Sequence, residues 1–435
     1  MNILLIEQLK RKKQPSKRFI TRFLTMFSIL PTLYIRRLAA ITPEKHKVTI
    51  VNERYNPLPI SSDYDLVVIN YTTAFSTIAY EFANRFQKKN VPVVLCGLHA
   101  SALPEEALAH ADAVLIGRGE CNWLQLLEDV ENHDLKTIYQ PIPYDPEYCN
   151  IPPTNLSLPG FVLMGALEAT RGCPYQCRFC PEGNTPNGKE FLTRPVEEVV
   201  MEIKQIPQRL FMFYDTSLTI DPSYTKELFT LMKPLQKRFF CNGNIDVLSN
   251  DPELVMLSKK AGCIGWLTGF ESFDQNTLDD IGKSTNKVQY YKKAVDQIHS
   301  QKMIVIGDFM FGFDSDTVTV FDTTFSMIRK LHIDVADFTI LTPFPGTPLF
   351  DQLKKDERIL TTDWEQYDLF TPVFQPKQMS AEQLQKGVLS LYQRFYSPNY
   401  FISRILQSIP FGFYPFTAVT ARNILASFNT VFLKR

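Results

Sequence analysis

Short apolar segments alternate with amphipathic helical segments in two successive series, and this alternation restricts the fold more than any other feature of the chain. In the first series the apolar segments are residues 2–6, 47–52, 66–70, 91–96 and 113–116. Residues 74–89 lie between the third and the fourth of these, and their apolar side chains share one helical face. Strands joined by single helices favour right-handed crossovers, so this series predicts a parallel, doubly wound sheet.

The loops that follow these predicted strands are small or polar. They read Tyr-Thr-Thr at 71–73, Gly-Leu-His-Ala-Ser at 97–101 and Gly-Arg-Gly-Glu at 117–120. Doubly wound sheets bind ligands at the carboxyl ends of their strands, so these loops are able to receive a large cofactor. Ordinary strand-to-helix loops have the same composition, and the loops alone leave both interpretations open.

A proline-rich segment, residues 141–153, separates the first series from the second. The second series has apolar segments at 167–171, 210–214, 239–242, 264–269, 304–311 and 337–341, with helical segments such as 196–206, 253–261 and 287–299. Six strand–helix repeats are too few for a complete eight-fold barrel, so we expect a partial barrel that is open on one side.

The predicted fold class is therefore α/β, with a doubly wound parallel-sheet domain at residues 1–140 and a partial (β/α)6 barrel at residues 161–350. A linker at 141–160 joins them, and a small C-terminal extension occupies 351–435. We expect this extension to be helical from residue 380 to about 396 and irregular beyond that point.

Composition excludes several classes of protein. With 45% hydrophobic residues, the 435-residue chain is neither disordered nor collagen-like. Eight cysteines are too few for a secreted disulfide framework, and 46 basic residues balanced by 46 acidic ones give no reason to expect a nucleic-acid partner. No signal peptide is recognisable, and Arg22 and Pro31 interrupt the apolar run 19–35, which makes it a poor membrane span. We expect a reduced, cytoplasmic protein.

Three cysteines, Cys173, Cys177 and Cys180, lie close together on a glycine- and proline-containing loop after the first predicted barrel strand. Structural zinc sites usually take four protein ligands, and no matching second pair of cysteines follows. Soft thiolate ligands suit an iron–sulfur cluster, and a four-iron cluster held by three cysteines keeps one iron open for another ligand. The alternative is three cysteines that are merely buried.

The Cys-x3-Cys-x-Phe-Cys pattern at 173–180 resembles the signature of the radical S-adenosylmethionine (SAM) superfamily. The resemblance implies that Cys173, Cys177 and Cys180 bind a [4Fe–4S] cluster and that Phe179 lies beside SAM. It also implies that the open iron chelates SAM, whose reductive cleavage yields a 5′-deoxyadenosyl radical that abstracts hydrogen from an unactivated carbon. A partial six-stranded barrel is the fold that this family implies.

Two carboxylates are further candidates for catalysis. Glu271 ends the fourth predicted barrel strand, where family members often place a carboxylate near the ribose or amino group of SAM. Asp215 ends the second strand and is expected to face the pocket by the parallel-sheet rule. The alternatives are a rim salt bridge for Glu271 and a capping role for Asp215.

A doubly wound domain before such a barrel is similar to the cobalamin-binding branch of the superfamily, which includes the class B radical SAM methyltransferases. The resemblance implies that Thr72, Thr73, Gly97, His99 and Gly117 contact cobalamin. One departure is the absence of the Asp-x-His-x-x-Gly loop whose histidine ligates cobalt in classical carriers. Either cobalt has no protein nitrogen beneath it, or the domain has become a scaffold without cobalamin.

The leading hypothesis is a cobalamin-dependent radical SAM transferase that methylates an unactivated carbon of a hydrophobic small molecule or lipid. Alternatives keep both cofactors but end in radical cyclisation, oxidation or carbon–carbon coupling. A methylthiotransferase would need three further cysteines in its first domain, which Cys96, Cys121 and Cys149 do not match in placement. A non-enzymatic iron–sulfur module is another class. The chemistry implies an electron donor such as flavodoxin, and no nucleic acid.

The last 39 residues, from Ser397, contain no Asp or Glu, and their aromatic residues alternate with a few Arg and Lys. The segment 10–37 has the same aromatic and basic character. Such composition is typical of a segment that lies in a membrane interface, so peripheral membrane association is a hypothesis for this chain. The alternative is a tail that packs against the barrel beside a solvated basic loop.

Overall fold

The computed structural model of the protein describes residues 1–9, 33–53, 57–143 and 164–432. Its first domain contains a six-stranded sheet in which every pair of neighbouring strands is parallel. The strands are β1 (Asn2–Gln8), β2 (Lys47–Asn52), β3 (Leu66–Asn70), β4 (Val93–Cys96), β5 (Ala113–Leu115) and β6 (Ile138–Tyr139), in the order β2-β1-β3-β4-β5-β6.

Helices cover both faces of this sheet, as the doubly wound prediction requires. They are α1 (Leu33–Ile41), α2 (Ser76–Gln87), α3 (Leu98–Ala102), α4 (Pro104–Leu108) and α5 (Glu120–Glu131). One core contains Ile78, Ala83 and Phe86 of α2, and the other contains Leu38 of α1 and Trp123 of α5. The strands are continuous apolar runs because both of their faces are buried. The short edge strand β6 was not predicted, since only two residues pair.

The second domain is the expected partial barrel of six parallel strands. These are β7 (Met164–Leu167), β10 (Leu210–Phe213), β11 (Arg238–Asn242), β12 (Cys263–Glu271), β13 (Ile304–Phe311) and β14 (Val335–Ile340), in the order β14-β13-β12-β11-β10-β7. The predicted first strand 167–171 is wrong in extent. It divides after Leu167, and β8 (Thr170–Arg171) instead pairs antiparallel with β9 (Leu192–Thr193).

The short helix α6 (Pro181–Asn184) directly follows the three cysteines. The other barrel helices lie on the outer face of the sheet. They are α7 (Val196–Gln205), α8 (Pro222–Met232), α9 (Ile245–Asn250), α10 (Pro252–Ala261), α11 (Gln275–Asp280), α12 (Tyr291–Ser300), α13 (Val320–Lys330) and α14 (Pro348–Lys355). Strand residues alternate strictly. For example, Val305 and Phe309 join the core beneath the helices, whereas Ile304 and Ile306 face the interior of the barrel.

The C-terminal extension corrects another expectation, because the chain beyond residue 396 is helical rather than irregular. Three helices follow the barrel: α15 (Ala381–Phe395), α16 (Pro398–Ser408) and α17 (Phe413–Phe432). Pro398 occupies the first turn of α16, where its missing N–H costs nothing. Gly412, with φ of +99°, makes the turn between α16 and α17. Prolines in this segment therefore mark helix starts instead of irregular chain.

Helices α16 and α17 close the amino end of the barrel. Val419 is fully buried in a cluster with Phe240, Ile264 and Ile304 at the amino-terminal ends of the barrel strands. Ile405 and Tyr414 pack against the same cluster. Arg404, one of the few basic residues of the tail, is buried and donates to the carbonyl of Phe395 and to Asn423. Within the described part of the chain, none of the helices combines the length and apolar character needed to cross a bilayer.

Candidate active site

A cavity of about 670 Å³ lies where the carboxyl ends of the two parallel sheets meet. Loops from both domains form its wall, as the strand-end rule predicts. Of the five residues predicted to contact cobalamin, Thr72, Gly97 and Gly117 line this cavity. A β-carbon on Gly97, whose φ is +106°, would lie 2.4 Å from the backbone oxygen of Tyr71. Only glycine therefore allows this loop to pass so close to the end of β3.

Thr73 and His99 lie outside the cavity lining and are buried. The His99 ring is 3.4 Å from Glu106 and packs edge-on against Trp364, with centroids 5.1 Å apart. Trp364 also donates to Glu106 at 2.9 Å. His99 thus joins the first domain to a segment that follows the barrel, and its side chain points away from the cavity.

Four charged side chains, three of them buried and Glu168 half-buried, join the domains at the cavity wall. Arg37 of α1 pairs with Glu168 of the barrel at 2.5 Å and lies 3.7 Å from Glu120 of α5. Arg171 of the barrel pairs with Glu120 at 3.0 Å and with Glu168 at 3.2 Å. These two arginines lower the pKa of Glu120 against the opposing effect of burial. The network alternates in sign across the interface, so it specifies how the two domains face each other.

The cysteine loop borders the cavity through Gly172, which lines it. The side chain of Asn184 in α6 donates to the carbonyls of Cys177 and Cys180, at 3.0 and 2.7 Å. The backbone N–H of Cys173 donates to Gly188 at 2.8 Å. These bonds hold the loop in a defined shape. Burial raises the pKa of all three thiols.

Among the described residues, no group of three His, Cys, Asp or Glu side chains is gathered closely enough for a single metal ion. The cysteine ligands of an iron–sulfur cluster bind different irons, so the thiols need not converge on one point. Three soft thiolates are a donor set that fits such a cluster.

Glu271 lies next to this loop, at the end of β12. Its side chain is buried and accepts from Lys283 at 2.9 Å. The ammonium of Lys283 acts on the thiols of Cys177 and Cys180 and lowers their pKa, in opposition to burial. Glu271 has φ of +59°, and the pairing of β12 with β13 slips between Gly269 and Glu271. Strain of this kind clusters at functional sites.

Asp215 is almost fully buried behind the cavity wall instead of lining it, although its neighbours Tyr214 and Thr216 do line it. Its carboxylate accepts from the backbone N–H groups of Ala169 and Thr170 and from the Thr170 hydroxyl. Burial raises its pKa to about 7, aided by the charge of Glu168. Asp215 therefore ties the end of β10 to the segment that leads into the cysteine loop.

Comparison with known proteins also indicates a radical SAM protein. Residues 167–328 match the Radical SAM superfamily, and residues 347–418 match DUF4070, a domain of unknown function. Two methyltransferases of Chlorobaculum tepidum are each 30% identical to the chain. The bacteriochlorophyllide d C-12(1)-methyltransferase matches over 85% of this chain and 83% of its own length, and the C-8(2)-methyltransferase over 85% and 86%. The chain belongs to the cobalamin-binding radical SAM methyltransferase family.

A solved structure shows the same fold over nearly the whole chain. It is the radical SAM methyltransferase TsrM from Kitasatospora setae, determined with cobalamin and a [4Fe–4S] cluster bound. The two folds agree with a TM-score of 0.74 over 98% of each chain, at 14% sequence identity. The expected α/β fold, with a cobalamin-binding type of domain before a radical SAM barrel, is thereby confirmed.

Within this radical SAM fold, Phe179 lies apart from the interdomain cavity. It packs against the barrel core and lines a small cleft with Phe313 and Leu349. The adjacent Arg178 bonds to Gln352 of α14. The cysteine loop is thus anchored on one side by the C-terminal part of the barrel and borders the cavity on the other.

Three further charged residues of the radical SAM barrel escaped sequence analysis. Asp308 and Asp337 lie side by side in the β13–β14 register, on strand positions that face the barrel interior. Arg422 of α17 bonds to Asp337, and these two side chains are 47% and 29% exposed. Burial and Asp337 raise the pKa of Asp308 to about 8. The sequence signal that could have identified Asp308 and Asp337 is an acidic residue within an otherwise apolar strand.

Proposed function

We propose that this protein is a cobalamin-dependent radical SAM enzyme that methylates an unactivated carbon of a hydrophobic small molecule. The observation that carries the proposal is the position of the cavity at the carboxyl ends of both sheets, with the cysteine loop on its border. The two bacteriochlorophyllide methyltransferase relatives support a hydrophobic pigment as the class of methyl acceptor.

The residues present fit the cofactors of this family. Cys173, Cys177 and Cys180 would hold a [4Fe–4S] cluster, and Phe179 and Glu271 would contact SAM. Thr72, Gly97 and Gly117 would contact cobalamin from the first domain, whereas Thr73 and His99 would support that loop from behind. When bound, the cluster and SAM supply the radical that removes hydrogen, and cobalamin supplies the methyl group.

Polar atoms of the cavity wall support a bound ligand with hydrogen-bonding groups. Arg118 Nη1 and Glu120 Oε2 are buried and have no hydrogen-bond partner within the described residues. Both residues line the cavity. Buried polar groups are nearly always satisfied, so these two atoms indicate a polar ligand such as the amide-bearing rim of a corrin.

The barrel interior offers a polar contact for the acceptor. The carboxyl group of Asp308 has no hydrogen bond to the described residues, whereas that of Asp337 is neutralised by Arg422 and accepts from Tyr392 at 3.4 Å. A carboxyl group whose pKa is about 8 is mainly protonated at pH 7, so Asp308 can donate a hydrogen bond to an oxygen of the acceptor. Its apolar neighbours Ile306 and Met310 would contact the hydrophobic part.

An external one-electron donor completes the chemistry, because reductive cleavage of SAM needs an electron that no side chain supplies. We infer a small redox protein such as a flavodoxin. Reduction of the reconstituted protein by flavodoxin and by dithionite can be compared directly.

The proposal is tested by anaerobic reconstitution with iron, sulfide, cobalamin and SAM, with dithionite as the electron donor and bacteriochlorophyllide d as the acceptor. We expect 5′-deoxyadenosine together with a product one methylene heavier, both measured by mass spectrometry. Replacing Cys173, Cys177 and Cys180 by Ala should abolish both products and the brown colour. Cys241→Ala, at a buried thiol of β11, is the matched control and should retain them.

The outcomes separate the competing functions. 5′-Deoxyadenosine without any methylated product would favour the cyclising, oxidising or coupling alternatives over methyl transfer. No 5′-deoxyadenosine from a protein that carries its cluster would contradict the radical SAM activity itself.

Bound cobalamin should lack a histidine ligand, because no histidine lines the described cavity. The cob(II)alamin form is expected to show no nitrogen hyperfine splitting from the protein in its electron paramagnetic resonance spectrum. A histidine signal that disappears in His99→Ala would contradict this expectation. Failure to bind any corrinoid would favour the scaffold alternative for the first domain.

A further inference from the structure

The amino end of the barrel is strongly basic. The segments that join each helix to the next strand, residues 204–209, 233–238, 259–262, 299–303 and 329–334, contain ten Lys or Arg residues and one acid. The ten are Lys204, Arg209, Lys233, Lys237, Arg238, Lys259, Lys260, Lys302, Arg329 and Lys330. The acid, Asp334, is buried and bonded to His299 at 2.8 Å. We call this surface the basic end.

Most cations of the basic end project into solvent. Seven of the ten are classed as exposed, Lys260, Lys302 and Lys330 among them. Within the described residues, none of the ten pairs with a carboxylate. Cations at the carboxyl ends of helices interact favourably with the helix dipole, which accounts for their place in the fold. The helix dipole does not account for the apolar surface beside these cations.

Helix α16 and the turn that follows it present an apolar stripe next to the basic end, and no described residue covers this stripe. Ile402, Leu406 and Ile409 follow the i, i+4, i+7 spacing of one helical face and are 51%, 59% and 54% exposed. Phe413, at the start of α17, is 73% exposed. We call these four residues the apolar stripe. Exposed apolar side chains that form a continuous row mark interaction surfaces more often than isolated ones do.

Three contacts place the apolar stripe beside the basic end. The guanidinium of Arg238 lies 5.6 Å from the Tyr414 ring, and that of Arg329 lies 4.8 Å from the Tyr400 ring. The His299 ring lies 5.4 Å from Phe411. The helices that carry the stripe are therefore seated among the cations. From Ser397 onward the chain adds no acidic residue to this surface.

We propose that the basic end and the apolar stripe together form a docking surface for an anionic lipid bilayer. The stripe would enter the headgroup region while the surrounding cations contact lipid phosphates. A nucleic acid would bind the cations without using the apolar stripe. An acidic protein would be expected to bind a surface with more polar residues beside the cations. The unpaired charge and the exposed apolar row occur side by side, which is the combination that a bilayer interface requires.

The surface lies at the amino ends of the barrel strands, whereas the cavity lies at their carboxyl ends. Docking would therefore hold the enzyme at the membrane without pressing the cavity against lipid. The inference does not depend on the proposed methyl transfer, and no acceptor is needed to test it.

Flotation of the full-length protein on vesicles tests the proposal. With phosphatidylcholine vesicles that contain phosphatidylglycerol, we expect the protein to float at low salt and to be released as ionic strength rises. Pure phosphatidylcholine should leave it in the soluble fraction. Removing one cation near an anionic surface weakens binding about fivefold, so reversing two charges in K260E/K302E should weaken it at least 25-fold, a factor of about five for each.

Paired variants separate docking from folding. Leu406→Ser and Phe413→Ser should each lose flotation at unchanged melting temperature, since both side chains are already exposed. Leu124→Ser and Lys89→Glu are the matched controls, as both are exposed residues of the first domain. Deleting the tail from Ser397 is less informative, because it would also remove Val419 from the barrel core.

Three results would overturn the proposal. The first is a wild-type protein that stays soluble with anionic vesicles at low salt. The second is equal flotation of the surface variants and their controls. The third is binding to RNA or to an acidic protein without binding to vesicles. Formation of 5′-deoxyadenosine by the same samples reports separately on the enzyme.

Discussion

Single residues at the edge of the cysteine loop decide how the site is charged. Glu271 is buried, strained in φ and bonded to Lys283, which in turn lies near two of the three cysteines. A lysine in this position offsets the negative charge that a thiolate-bound cluster brings. Lys283 follows a helix in an unremarkable sequence, so nothing local marked it as part of the site.

Replacing Glu271 by Gln keeps the size of the side chain but removes its charge. Since a hydrogen bond to a charged group contributes about 1.5–3 kcal/mol, we expect SAM binding to weaken by about 10- to 100-fold. Equilibrium binding of SAM to the reconstituted protein and the rate of 5′-deoxyadenosine formation measure this loss. Lys287→Met, at an exposed pair with Asp279, is the control and should change neither quantity. Wild-type affinity in Glu271→Gln would contradict a role in SAM binding.

Asp308 differs from Glu271, because its carboxyl group has no hydrogen-bond partner among the described residues. The charged groups that act on it are Asp337 and Glu271, which raise its pKa, and Lys283 and Arg422, which lower it. Burial is the largest effect, and the pKa rises to about 8.

The raised pKa of Asp308 makes the stability of the folded protein decrease as the pH rises. The folded state holds its proton up to about pH 8, whereas the unfolded chain loses it near pH 4. The contribution to stability is complete below about pH 4 and is lost as the pH rises to about 8. Asp308→Asn cannot ionise, so its stability relative to wild type should increase steadily as the pH rises from 5 to 8.

Urea unfolding of both proteins across this pH range measures the effect. Infrared spectra of the metal-free chain should show a carboxyl band that titrates near pH 8 and is absent in the variant. A pH-independent difference in stability would contradict the assignment. For acceptor binding, Asp308→Asn should retain methyl transfer because it still donates a hydrogen bond, whereas Asp308→Leu should lose it.

At the scale of elements, the cysteine loop depends on a neighbouring strand. Asp215, just beyond β10, bonds to the backbone at 169–170, where the chain leaves the sheet after β7. The antiparallel pair β8–β9 then directs the loop toward the cavity. The position of the three cysteines is thus set from a point some forty residues away.

Asp215→Ala should destabilise the protein by about 2–4 kcal/mol, because it leaves buried N–H groups without an acceptor. We also expect the loop to hold its cluster less well, which iron content per chain and the visible absorbance would show. Asp221→Ala removes the cap of the next helix, α8, and should cost about 1 kcal/mol while the iron content stays normal. Full iron occupancy in Asp215→Ala would show that the loop keeps its shape alone.

For the whole molecule, the decisive feature is the interface between the two domains. The cavity exists only because the strand ends of both domains face each other, and the network of Arg37, Arg171, Glu120 and Glu168 spans that junction. Breaking one partner of a buried network leaves uncompensated charge, which is more costly than removing the whole network.

Arg37→Met should therefore cost about 3–5 kcal/mol and weaken hydroxocobalamin binding, measured by urea unfolding and by absorbance titration. Arg36→Met is the matched control, because Arg36 pairs with Glu7 inside the first domain at 2.7 Å and does not reach the barrel. The control should lose some stability but bind hydroxocobalamin as wild type does. Equal loss of cobalamin binding in both variants would contradict a role for the interface.

Local patterns in the sequence were sufficient to predict the two parallel sheets. They were also sufficient to single out the closely spaced Cys173, Cys177 and Cys180 and the loops that contain Thr72 and Gly97. Strand and helix periods arise from neighbours a few residues apart, so a single chain displays them directly. Of the C-terminal helices, the first was predicted, whereas α16 and α17 were expected to be irregular chain; Pro398 and Gly412 mark where these helices begin and end.

Tertiary structure alone decided which side chains meet. Glu271 with Lys283, Arg37 with Glu168, and Arg422 with Asp337 are pairs whose partners lie between 12 and 131 residues apart. Likewise, His99 points toward Trp364 instead of the cavity, and the basic end becomes one surface only when five separate segments align. Contacts of this kind depend on the order of the strands and on the packing of the helices. Both are properties of the complete fold and not of any local sequence period.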